Sequence, residues 1–220
     1  MDHGHKPTAS EAETFFHGYA ADFDAIYGTS GGLFDTVVNR MFRRSMRVRY
    51  ERTIAACEPI AGRTFLDVGC GPGHYCVTLA KLGAAQVRGV DFAENMLEIA
   101  RQRARRENVA DVCTFEKLDF FKHKFGESYD GVIVMGFMDY VEDAAAIVRK
   151  VLSITRDKAL FSFPVAGGLL AWQRQVRYRN RCPLYLYSRE QIEKLFYSAS
   201  EFRVSIDRID RDFFVIAAKR

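Results

Sequence analysis

The chain predicts an α/β fold: a mostly parallel seven-stranded sheet with helices on both faces and a reversed edge strand, preceded by an N-terminal helical lid. Three observations carry this expectation. From Arg63 onward, strand-type and helix-type apolar patterns alternate. Runs such as Gly131-Val132-Ile133-Val134-Met135 are apolar at consecutive positions, so both faces of the strand need cover, as in a parallel sheet. The last two strand segments, Arg203 to Ile209 and Asp212 to Ala218, lie too close together for a helical crossover and must pair antiparallel.

Taken in order, residues 1–10 are polar and aperiodic and read as a mobile tail. Ser10-x-x-Glu13 spells a capping box ahead of Phe15, Phe16 and Tyr19, which predicts a short helix running toward Ile26-Tyr27. Gly28-Thr29-Ser30-Gly31-Gly32 breaks it. Leu33 to Glu58 then reads as one long amphipathic helix, with Val37, Val38, Met41, Phe42 and Val48 on one side and Arg40, Arg43, Arg44 and Arg47 on the other. Pro59 and Gly62 close it. The expected division is a tail and helical lid over 1–58 and one α/β domain over 59–220.

Within that domain the patterns predict strands at 64–68, 86–90, 111–115, 130–135 and 158–163, and helices at 73–82, 94–106, 142–152 and 188–199. The antiparallel pair at 202–208 and 212–218 ends the chain. The stretch 164–187, with Trp172, Arg174, Arg177, Tyr178 and Arg179, is irregular; such an insertion late in an α/β domain lies over the ligand side.

Composition narrows the class. With 220 residues, 48% of them hydrophobic, the chain can bury one full core. It has no long apolar run, and the opening Met1-Asp2-His3-Gly4-His5-Lys6 lacks the apolar stretch of a signal peptide, so a cytoplasmic location is expected. Five cysteines, with no C-x-x-C pair, suggest reduced thiols and no zinc site. The net charge is only +4, but arginines gather at 40–52, 101–106 and 174–181. Such runs are either solvated faces or patches for an anionic partner.

In an open α/β sheet, ligands sit beyond the carboxyl ends of the strands, where strand order reverses. The first strand runs into Asp67-Val68-Gly69-Cys70-Gly71-Pro72-Gly73, a turn that lets a ligand approach the backbone and face a helix N-terminus. Asp91 ends the second strand, where a carboxylate can accept from both hydroxyls of a ribose. Asp119 follows the third strand and can accept from an exocyclic adenine amine, with Phe120 beside the base. Met135-Gly136-Phe137-Met138-Asp139-Tyr140 follows the fourth. A nicotinamide-dependent oxidoreductase is the competing class. Here, however, the third glycine comes two residues after the second, and Asp67 would repel a pyrophosphate while attracting a cation.

Leu66-Asp67-Val68-Gly69-Cys70-Gly71-Pro72-Gly73, then Gly89-Val90-Asp91-Phe92-Ala93-Glu94-Asn95-Met96-Leu97 and Leu118-Asp119-Phe120, resemble the class I S-adenosylmethionine-dependent methyltransferases over residues 60–220. The resemblance implies a Rossmann-like sheet and S-adenosylmethionine as cofactor. It places Asp67 near the methionine ammonium and Gly69 and Gly71 beneath the methionine moiety. Asp91 would hold the ribose and Phe92 would flank the adenine. Asp119 and Phe120 would meet the adenine edge and face, and Met135 and Gly136 would border the amino-acid portion. Cys70, Gly73, Met96 and, from the N-terminal helix, Tyr19 complete the implied donor site.

The segment after the fourth strand lacks the Asn/Asp-Pro-Pro-aromatic motif of amino-group methylases and the Pro-Cys of cytosine C5 methylases, and no paired-glutamate loop of arginine methylases is found. A small-molecule acceptor with an oxygen, amine or carboxyl group remains. Phe161-Ser162-Phe163-Pro164, the insertion and the reversed strand pair resemble porphyrin carboxyl methyltransferases, which makes a porphyrin one possible substrate. Candidate general bases are Asp139, Tyr140 and His17, with His74 a cofactor-side or structural alternative and Asp139 equally able to cap the next helix. Tyr19, Tyr27, Tyr140, Trp172 and Tyr178 can line an aromatic pocket under the lid; Arg177 and Arg179, with Arg49, can hold an anionic acceptor. Two other readings stay open: an RNA methyltransferase using the arginine-rich helix, and a non-catalytic S-adenosylmethionine-binding protein.

Overall fold

The computed structural model describes residues 33–167 and 184–220, with side chains from Arg44 onward. The first helix, α1, is Leu33–Ala56. Then follow β1 (Thr64–Val68), α2 (His74–Lys81), β2 (Gln86–Asp91), α3 (Glu94–Arg106), β3 (Cys113–Lys117) and β4 (Tyr129–Val134). A single 3-10 turn, Met138–Tyr140, leads to α4 (Ala144–Ser153), β5 (Thr155–Pro164), α5 (Arg189–Leu195), β6 (Phe202–Ile209) and β7 (Asp212–Lys219).

The seven strands form one sheet in the order β3-β2-β1-β4-β5-β7-β6. Strands β1 to β5 pair parallel, while β7 runs antiparallel to both β5 and β6. The reversed strand is therefore β7, one position in from the edge that β6 forms. Seven residues of β7 register with β5, which is why this short-looped hairpin can join a parallel sheet at all.

Side-chain alternation splits the core into two layers. Leu66, Val68, Val132, Val134, Ala159 and Phe161 face α4 and α5, meeting Ile147, Val148, Val151 and Ile192. Phe65, Val87, Ile133 and Leu160 face the other way, onto Val77 and Leu79 of α2 and Leu97, Ala100 and Ala104 of α3. Val48, Ile54 and Ala56 of α1 pack into this second layer. The C-terminal half of α1 is thus bedded on the sheet.

Within the described residues each sequence-predicted strand and helix is present, and the predicted short helix ahead of Gly28 lies outside them. Helix α3 falls on its predicted residues, whereas β3 begins two residues late and β5 begins at Thr155, three residues early. Among the described residues no helix is long and apolar enough to cross a membrane. Cys57, Cys70, Cys76 and Cys113 are buried free thiols; Cys182 lies outside the described residues.

Candidate functional site

Strand order reverses between β1 and β4, with β2 and β3 built out on one side and β5 on the other. The carboxyl ends of β1, β2 and β4 therefore flank a crevice. Into it runs the turn after β1. Gly69, Gly71 and Gly73 have φ values of 68°, 51° and 74°, a region costly for residues with a Cβ. A Cβ on Gly69 would stand 2.8 Å from Phe137 Cδ2, and one on Gly73 would stand 2.9 Å from Ala100 Cβ. On Gly71 a Cβ would meet nothing within 4 Å. Two glycines are held tight against protein, and the middle one faces open space.

The turn is fixed from several sides. Gly69 N–H and Cys70 N–H both donate to Val90 O, at 2.8 and 3.1 Å. Arg103 of α3 donates to Pro72 O at 2.8 Å. Asp91 spans the turn and the next helix: its Oδ2 accepts from Gly71 N–H and its Oδ1 from Ala93 N–H, each at 2.9 Å. Burial raises the Asp91 pKa above the usual carboxylate range, although the Ala93 and Gly71 N–H groups work against that shift. A carboxylate carries about four lone-pair sites, more than these N–H groups use, which leaves capacity for a ribose hydroxyl. Beside it Ala93 and Met96 form a small apolar cluster with Phe92 and Ile99, apart from the two main core layers.

Asp67 lies on the α2–α3 side of β1 and is 1% exposed. Burial pushes its carboxyl up to about 7, the Cys76 thiol that donates to Oδ2 at 3.4 Å pulls it down, and Asp91 adds to the rise. Cys70 and Cys76 are buried beneath the turn; burial raises both thiols, Cys70 to about 11, so neither is a ready nucleophile.

At the end of β4, Met135 is buried and Gly136 has φ 69°, its N–H donating to Ser162 Oγ at 2.8 Å. The Arg49 guanidinium lies against this glycine, 3.6 Å from where its Cβ would be. Arg49 Nη1 donates to Asp212 Oδ2 at 3.1 Å, and the two side chains are only 14% and 10% exposed. Its Nε is buried with no partner among the described residues. Burial opposes the Arg49 charge, but Asp212 and Tyr75 outweigh it and raise its pKa.

The sequence places Arg49 in an arginine run that reads as one solvated or anion-binding patch. The structure divides that run: Arg44 and Arg47 point to solvent, and Arg49 points inward. A readable signal exists. Ser45, Arg49 and Thr53 recur every four residues, and Ser45 and Thr53 are buried, which marks one inner face of α1. Similarly, Arg101 and Arg103 spend guanidinium protons on Phe115 O and Pro72 O.

Two other positions differ from expectation. The Phe120 ring, expected on the base, is 4% exposed and packs at 5.4 Å from Phe125 and 6.2 Å from Phe137. It serves the core, and the exposed Asp119 is the member of that pair open to a ligand. Helix α4 is capped by Asp143, which accepts from Ala146 N–H at 2.9 Å, not by Asp139. Asp139 is 3% exposed in the turn after β4, with Tyr140 beside it half-buried. His74 opens α2 next to the glycine turn. His17, Tyr19, Tyr27, Trp172, Tyr178, Arg177 and Arg179 lie outside the described residues.

A seven-stranded sheet in this order, with the glycine turn after β1 and the acidic residue ending β2, defines the class I methyltransferase fold. A family model described as a methyltransferase domain matches residues 61–171, half of the chain. The chain belongs to that family, the class I S-adenosylmethionine-dependent methyltransferases. Among curated relatives, the ubiquinone biosynthesis O-methyltransferase of Neisseria meningitidis serogroup C is 38% identical over 107 residues, 47% of this chain and 44% of that protein. A methyltransferase of Streptomyces halstedii is 32% identical over 97 residues, 44% of this chain and 35% of that one. The chain thus spans less than half the length of these relatives. Among solved structures, magnesium protoporphyrin IX methyltransferase from Synechocystis with bound S-adenosylhomocysteine aligns over 97% of this chain and 100% of its own, with a TM-score of 0.78 and 22% identity. That likeness shows the fold.

Proposed function

We propose that the chain transfers the methyl group of S-adenosylmethionine to a small-molecule acceptor, and that the donor lies across the carboxyl ends of β1, β2 and β4. One observation carries this reading: Asp91 holds the turn at Gly71, over which there is open space, and a buried guanidinium, Arg49, lies against Gly136 at the end of β4. The donor carries a ribose diol and an amino-acid carboxylate, the two groups that a carboxylate and a guanidinium recognise. Its sulfonium supplies an electrophilic methyl group, so the protein's task is alignment and exclusion of water.

Each residue then has a role. Asp91 accepts from the ribose hydroxyls with the lone pairs that Gly71 and Ala93 leave open. Phe92, Ala93 and Met96 offer an apolar seat for the adenine, and Asp119 accepts from its amine. Cys70 and Gly73 shape the turn, Gly69 and Gly71 let the methionine moiety lie close, and Asp67 beneath them favours the ammonium. Met135 and Gly136 border that moiety, and Arg49 takes its carboxylate with the unpartnered Nε edge. Asp139, Tyr140 and His17 are the proposed groups on the acceptor side, and Tyr19 is a proposed donor contact.

An oxygen acceptor is favoured by the curated relatives named O-methyltransferases. A nucleic-acid acceptor is less well supported, because Arg49, Arg101 and Arg103 of the arginine runs are engaged within the protein. Transfer of label from methyl-labelled S-adenosylmethionine tests the reading. Incubation with phenolic acids, a porphyrin carboxylic acid and total RNA in parallel is expected to label a small molecule; label in RNA alone would overturn it.

A further inference from the structure

On α4, Lys150 makes an unusual set of contacts. Its ammonium donates to three main-chain carbonyls of one loop: Phe120 O at 2.5 Å, His123 O at 2.5 Å and Phe121 O at 3.0 Å. It also stands 5.0 Å from the Phe120 ring centroid and 5.8 Å from that of Phe125. An ammonium has three protons, and here each has its own converging carbonyl. The turn that Lys122 and His123 N–H make onto Asp119 O leaves these carbonyls without main-chain partners along it, and the ammonium takes them up.

That loop joins two parts of the donor crevice. It starts at Leu118, whose N–H donates to Asp91 O at 3.0 Å. It carries Asp119, whose Oδ1 accepts from Phe121 N–H at 2.9 Å. The Phe120 ring meets Phe137, the side chain on which Gly69 rests. Fixing the loop therefore fixes the Asp119 carboxylate relative to Asp91.

We propose that Lys150 is a positioning residue for donor recognition, setting the 118–123 loop so that Asp119 reads the exocyclic amine of the adenine. Selectivity for a 6-aminopurine then depends on a residue that touches no ligand. The proposal rests on the donor site described above.

Isothermal titration of the full chain with S-adenosylhomocysteine and with S-inosylhomocysteine, whose 6-amino group is replaced by oxygen, tests it. The wild type is expected to prefer the adenosyl compound by roughly tenfold, the worth of one hydrogen bond at a partly buried site. In Lys150→Met the preference narrows to about threefold or less. A wild-type preference retained in Lys150→Met overturns the proposal, because a merely structural lysine would weaken both ligands alike. Equal binding of both ligands to the wild type overturns it too, yet leaves the donor site standing; no binding of either removes both. If Lys150→Met does not fold, Lys150→Arg carries the same comparison. A planar guanidinium keeps the charge but cannot aim at three converging carbonyls, so the ratio is again expected to fall.

Discussion

Arg49 Nη1 donates to Asp212 Oδ2 at 3.1 Å across 163 residues of sequence, tying the first helix to the start of the reversed strand at the mouth of the crevice. Removing the cation takes the Arg49 charge from a buried carboxylate, so Arg49→Met is expected to lower stability by about 3 kcal/mol in chemical denaturation. The double variant Arg49→Met/Asp212→Asn recovers most of that loss, because no unpaired charge remains. Neither regains donor binding, which is expected to weaken by roughly tenfold to a hundredfold in titrations with S-adenosylhomocysteine. Recovery of binding in the double variant would show that Arg49 acts only through the fold.

Gly69 and Gly71 share a positive φ and differ in what surrounds them. Gly69→Ala drives a methyl group into Phe137 and is expected to lower both stability and donor affinity. Gly71→Ala has free space around it and should cost only about 1 kcal/mol of backbone strain. Its methyl group occupies the ligand's path, so donor affinity falls while the melting temperature changes little. Thermal melts and titrations of the two variants side by side distinguish these outcomes.

Asp67 makes stability depend on pH. Its folded-state pKa of about 7 lies above the unfolded carboxylate value of roughly 3.9, so the native state prefers the neutral acid. The stability this gives is present below the unfolded value and is lost as pH rises through about 7. Relative to Asp67→Asn, the ligand-free wild type is therefore expected to lose stability between pH 4 and pH 7. Parallel melting curves of the two proteins across that range would show it, and curves that stay parallel would refute it.

On the acceptor side, Asp139→Asn is expected to lower kcat by roughly a hundredfold with donor affinity preserved, if a proton leaves the acceptor during transfer. Tyr140→Phe, which keeps the ring and removes the hydroxyl, separates a proton-handling role from a packing one. Single-turnover rates with the acceptor found by label transfer are the measurement.

Much of the fold was legible because its signals are local. Consecutive apolar residues mark β4, and α3 carries both its charge pattern and its boundaries in thirteen residues. The start of β5 was hidden: Thr155, Arg156 and Asp157 look like a loop, yet Arg156 and Asp157 are paired with Asp130 and Arg63 from distant positions. The edge strand β3 alternates buried and exposed, so Glu116 and Lys117 extend it where an apolar run would have ended it.

The site divides in the same way. Asp67, the glycines and Asp91 stand in one short stretch on either side of a helix, and their spacing is the motif. The inward turn of Arg49 depends on Asp212, and the hold of Lys150 on Phe120, Phe121 and His123 depends on a helix thirty residues away, so neither is written locally. Phe120 misled because an aromatic after a strand end reads equally as a seat for a base or as core.

The central claim is that the crevice between Asp91 and Arg49 binds the methyl donor. Isothermal titration of the wild type with S-adenosylhomocysteine is expected to show one molecule bound per chain, with binding lost in Asp91→Ala. No heat from the wild type, or equal affinity in Asp91→Ala, would contradict it.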